Sequence, residues 1–379
     1  MRKRYKLFAL MIASTIVTFS VVLYAAQTGV GQALADWWAG VNYPDEYIRK
    51  NKGKALVEIP EVFELANIAI AISEEGLKHP NRVRKQGEYY QRVLEHFTPF
   101  KDHPLIAEPD IHWNFTYQFR DNAACYAFDG DKIVHAGIYR QMRTPNLFKK
   151  HLAKAEDFAK TSGFRKFYRE NHAFYQEQLQ RYRQKVPIRS MWTWLEERFP
   201  ARHDCYKVIF SPLLGASHET RNFSDKGFSE TIMFVSGPGE GDDYSDAVGR
   251  AMVARAVFTE IDHNYVNRLT TMHIGPVNEA FADLDKWNKQ SGYRSSEGAF
   301  NEYMTWAAFI LYAHDSYDAE TFKTVNERVG DQMVDSRKFV RFRQFSDQLL
   351  KLYLVQSEGR SIVDLYPDIL DWARSKQNQ

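Results

Sequence analysis

Apolar positions along the 379-residue chain change texture twice. Between residues 57 and about 194, Val62, Leu65, Ile68, Ile70 and Ile72 form a dense apolar run. Further on, Phe158, Phe164, Phe167, Phe174 and Leu179 recur at loosely helical spacing among Lys, Arg, Glu and Gln. This spacing predicts scaffold helices whose aromatic stripe is core. Pro104, Pro109 and Pro145 punctuate the region, and residues 126–139, with Gly130 and Gly137, read as a turn followed by another helix. Near Asp204 the pattern shortens to two β-branched and aromatic runs, residues 206–210 and 231–235, bounded by Gly, Pro, Ser and Asp. Residues 236–243 hold three glycines and a proline and must form a loop. From about Tyr244 a helix is predicted, with Val248, Met252, Val257 and Ile261 as its apolar positions.

The amino end differs from all of this. Arg2, Lys3, Arg4 and Lys6 precede an uncharged apolar stretch over residues 7–26, the pattern of an export signal. Ala33-Leu34-Ala35 offers a small-x-small cleavage site before Asp36, whereas the apolar stretch is also long enough to remain as a membrane anchor. The expected organisation is therefore a signal peptide or anchor over 1–35, a mainly helical region over 36–200 and an α+β region over 201–379. Export to the periplasm or beyond, or anchoring in the inner membrane by residues 7–26, is the corresponding location. The formal charge of +2 includes those four basic residues, so the chain beyond residue 35 carries 2 − 4 = −2. Without a basic excess, and with aromatic residues scattered among acids as well as bases, nucleic acid is excluded as a partner class.

The most informative residues lie in the helix after the glycine loop. Thr259-Glu260-Ile261-Asp262-His263 is the zinc-protease pattern H-E-x-x-H with threonine in place of the first histidine. In the intact pattern two imidazoles at i and i+4 hold Zn²⁺ on one helical face, while the glutamate polarises the attacking water. Here Glu260 is the candidate base and His263 a candidate ligand. Thr259 is a poor substitute, because a neutral hydroxyl lacks the donor lone pair of an imidazole. A third ligand is expected from a second helix, and Glu302, in Asn301-Glu302-Tyr303, opens an apolar helical run 39 residues past His263 (302 − 263). Asn264 or a nearby carbonyl is placed to orient the imidazole. His218, in the loop between the two strand runs, is the other substitute for the missing ligand. Asp262 is turned about 100° away from His263 along the helix. His273, His314 and Tyr312 are further cleft candidates, more often structural than catalytic.

These segments resemble a group of mostly secreted bacterial proteins known only as a domain of unknown function, with H-E-F-x-H, an aromatic-Val-Asn segment and a later N-E-Y helix. Thr259 to His263, Tyr265-Val266-Asn267 and Asn301-Glu302-Tyr303 match in order. Glu64-Leu65-Ala66-Asn67-Ile68, Phe100-Lys101-Asp102-His103-Pro104 and Phe210-Ser211-Pro212-Leu213 match upstream, so the likeness spans residues 57 to 320. The resemblance implies a gluzincin-like metallopeptidase fold in which His263 and Glu302 are ligands, Glu260 is the general base and the first ligand is missing.

Other chemistry is poorly supported. Gly215-Ala216-Ser217-His218-Glu219 lacks the last glycine of a nucleophile elbow, and the glycine-rich loop lacks the Gly-Lys-Ser/Thr of a phosphate loop. Cys125 and Cys205, the two cysteines, lack zinc or redox spacing; in an oxidising compartment they would pair, and otherwise they are buried thiols. The expectation is thus an exported, helix-rich α+β protein with a zincin-like carboxyl-terminal half. Its chemistry is zinc-dependent peptide hydrolysis, or else, as a pseudoenzyme, the binding of a peptide or protein partner in the same cleft.

Overall fold

The structure, a computed structural model, describes residues 40–79, 81–112, 116–237, 245–289, 292–356 and 361–377. The expected signal or anchor and its cleavage point at Asp36 lie outside these. No helix among the described residues is long and apolar enough to cross a membrane.

The fold is helix-rich α+β, built on one four-stranded sheet and one hairpin. In the sheet, β1 (Lys54–Glu58), β4 (Cys205–Ser211) and β6 (Phe228–Ser236) run parallel, and β5 (Glu219–Asp225) pairs antiparallel with β6, giving the order β1-β4-β6-β5. The central strand β4 is buried at every position, as a strand covered on both faces must be. Alternate residues therefore meet different layers. On one face Tyr206 stacks on Trp192 and reaches the hydroxyl of Tyr265. On the other, Phe234, in register with Ile209, meets Phe63 of the Glu61–Ile72 helix. The β5–β6 connection is the two-residue turn Lys226-Gly227, with φ of +52° and +72°. Positive φ at both positions is the backbone that closes a hairpin with the natural strand twist.

Two predicted elements differ. Residues 126–139 form not a turn and a helix but a hairpin, β2 (Tyr126–Asp129) against β3 (Lys132–His135), turning at Gly130 with φ +56°. Phe128 and Ile133 alternate there with polar residues, a period-two signal too short to stand out. The first region also supplies β1, so the segments on either side of residue 200 share one sheet and one continuous hydrophobic core.

The core also corrects the disulfide expectation. Cys125, between the Thr116–Ala123 helix and β2, and Cys205, at the start of β4, are both free and fully buried. Cys205 is flanked in the sheet by Lys54 and Glu230, so each thiol is enclosed by its own packing. Burial pushes the Cys125 thiol up to about 12 and raises Cys205 as well, which keeps both in the unreactive protonated form. Without reductant, a thiol reagent is expected to find no accessible cysteine in native protein and two after denaturation. A denatured count of zero would restore the bridge.

Candidate active site

The candidate residues are placed by two long helices. The motif helix, Ala247–Met272, starts at Asp246, whose side chain accepts a 2.6 Å bond from the Gly249 amide, and buries Val257, Phe258, Ile261, Tyr265 and Leu269. Phe258 stacks on Tyr312 of the second helix, Ser296–Ser316. That helix is buried at every position from Ala299 to Ala313, an apolar rod packed on all sides. Glu302 stands on its first half, 8% exposed.

The two helices bring His263 and Glu302 together, with the imidazole Nε2 3.5 Å from Glu302 Oε1. The other ring nitrogen, Nδ1, bonds Asn267 Oδ1 at 3.1 Å. Asn267 is one turn on and shares the face of His263, as i+4 positions do. Asn264 points elsewhere and donates to Thr220 Oγ1 of β5 at 2.8 Å, tying the motif helix to the last strand of the sheet. The second oxygen of Glu302, Oε2, accepts a 2.7 Å bond from Arg337 Nη2, which also donates to the Tyr293 hydroxyl at 2.7 Å. Arg337 follows a π-turn, Gln332–Ser336, and precedes Lys338 with φ +62°, so an irregular backbone aims this guanidinium inward. It lies 4.8 Å from the Trp306 ring centroid, and Arg255, one turn before Thr259, lies 4.2 Å from the same ring.

This arrangement sets the proton states. Burial alone would lower His263, but the Glu302 carboxylate, then Glu260, overcome it and hold the imidazole at about 9. Burial likewise opposes the charge on Glu302, yet Arg337 and His263 bring it down to about 2. Glu260 is pushed up to about 7, first by burial and then by Glu219 and Glu302, against the pull of His263 and Arg337. At neutral pH the cluster holds an imidazolium, an ionised Glu302 and a Glu260 poised between forms, able to give or take a proton.

A zinc ion does not fit these residues. Thr259 Oγ1 turns back into its own helix, bonding the Arg255 and Ala256 carbonyls at 3.2 and 3.3 Å. His218 bonds Ser236 Oγ at 3.1 Å, and burial with Arg255 and Arg120 beside it depresses its ring to about 3. Among the described residues no three His, Cys, Asp or Glu side chains gather as a ligand group. Arg337 already holds Glu302 Oε2, and Arg255 lies over the same Trp306 ring, so two fixed positive charges border the carboxylate that a divalent cation would need. The remaining candidates are structural: His273 Nδ1 bonds the Leu269 carbonyl at 2.9 Å, His314 Nδ1 pairs with Asp315 at 3.2 Å, and Tyr312 is a core ring.

Sequence reasoning did not reach Arg337, Arg255, Tyr293 or Trp306 as site residues, and it placed Asn267 only within the Tyr265-Val266-Asn267 likeness, without a role. Arg255 and Asn267 extend the four-residue spacing of Thr259 and His263 and were visible on that ground. Nothing local marks Arg337.

Fold and site together define a helix-rich α+β protein with a carboxylate, imidazolium and guanidinium cluster where two long helices meet. The chain belongs to the family described as a domain of unknown function (DUF4932), whose profile matches residues 123–370. Neither the curated proteins nor the solved structures contain a match.

The ion pair predicts a pH dependence. A histidine raised from 6.5 to about 9 contributes stability that is complete below pH 6.5 and lost as pH rises through 9. Relative to His263→Gln, the wild type should lose up to about 3 kcal/mol between pH 6.5 and 9.5. Parallel melting-temperature profiles for the two proteins over this range would disprove the pair.

Proposed function

We propose that this protein is a metal-free relative of the zincins that binds a peptide segment beside its motif helix and does not hydrolyse it through zinc. The zincin kinship is supported by the order of elements, which is a parallel strand, then, after a glycine-rich stretch of sequence, a helix with Glu260 and His263 one turn apart and a later helix bearing Glu302. One observation carries the binding reading. The Arg337 guanidinium, 2.7 Å from Glu302 Oε2, supplies in covalent form the positive charge that a zincin takes from its metal.

A peptide suits what borders the cluster. β5 is the last strand in the sheet order and is tethered to the motif helix through Thr220 and Asn264. An extended chain can pair with such a strand through its main chain while side chains settle in flanking pockets. Glu260, near its midpoint at neutral pH, can donate to a peptide carbonyl or accept from an amide, and the Arg337 guanidinium has donors beyond the Nη2 that it commits to Glu302 and Tyr293. Without a polarising cation these contacts hold a peptide but give little activation of water.

Zinc titration of four proteins tests this. Wild type and Thr259→His are expected to bind no stoichiometric zinc, because restoring the imidazole leaves Arg337 on Glu302. Thr259→His combined with Arg337→Met should gain affinity by at least two orders of magnitude, since three protein ligands are then free of the competing cation. Adding Glu302→Gln should abolish the gain. One tightly held zinc in the wild type, or full recovery in Thr259→His alone, would return the protein to the metallopeptidases.

A further inference from the structure

A cavity of about 600 Å³ opens along the amino-terminal half of the motif helix, upstream of Glu260. Its walls are Gly249 to Val257 on the helix, the end of β6 at Ser236-Gly237, the turn at Gly215-Ala216, and Arg84 with its neighbours. This volume is in the range of small-ligand sites. Its lining combines two kinds of surface. Met252, Val253, Val257 and Tyr182 make an apolar wall, and Arg84, Lys85, Arg255 and Arg328 bring positive charge, with no Asp or Glu among the described lining residues.

Arg255 is the most informative of these. Its guanidinium plane is fixed over Trp306 at 4.2 Å, and its Nε is buried without a hydrogen-bond partner. A buried guanidinium nitrogen without an acceptor costs about 1–3 kcal/mol or more, so the position is favourable only if something else repays it. Its fork geometry matches a carboxylate. His218, on the same lining, reports the same field, since Arg255, Arg120, Arg84 and Arg337 join burial in keeping its ring neutral, with its pKa lowered to about 3.

We infer that this cavity is a binding site for an organic carboxylate with an apolar body, namely the free carboxyl terminus of a peptide ending in a nonpolar residue. The carboxylate meets Arg255, and the last side chain lies against Met252, Val253 and Val257. Arg255 precedes Glu260 by five residues, about 7.5 Å along the helix axis, so the peptide continues from the cavity onto the Glu260 and His263 cluster. The choice of a peptide as source rests on the function proposed above; the carboxylate site itself does not.

Calorimetric titration of the full chain with acetyl-Ala-Phe, its carboxyl-terminal amide, octanoate and inorganic phosphate tests the inference. Acetyl-Ala-Phe is expected to bind saturably, and its amide at least tenfold more weakly. Arg255→Gln should weaken the acid at least tenfold while leaving the amide unchanged. Because Arg255 also packs on Trp306, Val253→Asp, which places a negative charge on the cavity wall, provides the second variant and should cause a similar loss with unchanged circular dichroism. Octanoate binding that needs Arg255, without binding of acetyl-Ala-Phe, would uphold the carboxylate site and overturn the peptide as its source. Equal binding of acid and amide, binding of phosphate alone, binding of none of the four, or full affinity in both variants would overturn the site.

Discussion

A carboxylate on a helix that is buried for fifteen consecutive residues must be paired or protonated, and Glu302 is paired on both oxygens. The desolvation of such a charge costs several kcal/mol, more than a solvent-exposed ion pair returns. His263 on one oxygen and Arg337 on the other make the burial tolerable, and each requires a separate structural element to be in place. The motif helix must cross the Ser296–Ser316 helix so that His263 reaches Oε1, and the irregular turn around residues 332–338 must direct Arg337 to Oε2. The packing of the carboxyl-terminal half is in this sense organised around one acid.

The same pairing determines how charge spreads through the rest of the site. With Glu302 ionised, His263 holds its proton, and the imidazolium together with Arg337 lowers the cost of a charge on Glu260. Burial and two neighbouring acids act in the opposite sense and prevail, which leaves Glu260 near neutrality. Earlier on the motif helix, Glu260 and Glu302 only partly offset the burial of Arg255 and its nearness to Arg337, and burial, joined by Arg255, Arg120 and Arg84, keeps His218 unprotonated. One helix thus carries two electrostatic environments a turn and a half apart: a balanced cluster around Glu260 and an anion-seeking pocket around Arg255.

What could be read from the sequence follows from how far each signal reaches along the chain. The motif helix, the Glu302 helix and strands β4 and β6 are long or strongly apolar, and their residues specify them locally. β1 and the β2–β3 hairpin are four or five residues long in surroundings of helical composition, so only pairing across more than 100 residues, as between Lys54 and Cys205, makes β1 a strand. β5 has no apolar alternation to reveal it, because it is held by the turn at Lys226-Gly227 and by Asn264. The spacing of Glu260, His263 and Glu302 was legible because helical geometry and a familiar metal pattern both constrain it. Arg337 was not, because its role is created by tertiary contact with Glu302, Tyr293 and Trp306 alone.

That last residue changes how Thr259 is understood. Taken by itself, threonine in place of a ligand is a defect in a metal site, and restoring histidine should repair it. With Arg337 bonded to Glu302, the site has a cation already, and a second histidine would add a ligand without removing the competitor. Thr259 fits such a site: its hydroxyl is satisfied by its own helix at Arg255 and Ala256, and no buried donor is left facing the cluster. Arg255, one turn earlier, shares the Trp306 ring with Arg337, so both guanidinium groups depend on the same aromatic surface. The threonine with its satisfied hydroxyl and the two arginines on one tryptophan ring are consistent with one another as parts of the proposed metal-free site. This mutual consistency makes the four residues a more informative signature than the incomplete motif, since a single lost ligand can be repaired and a replaced cation cannot be repaired at one position.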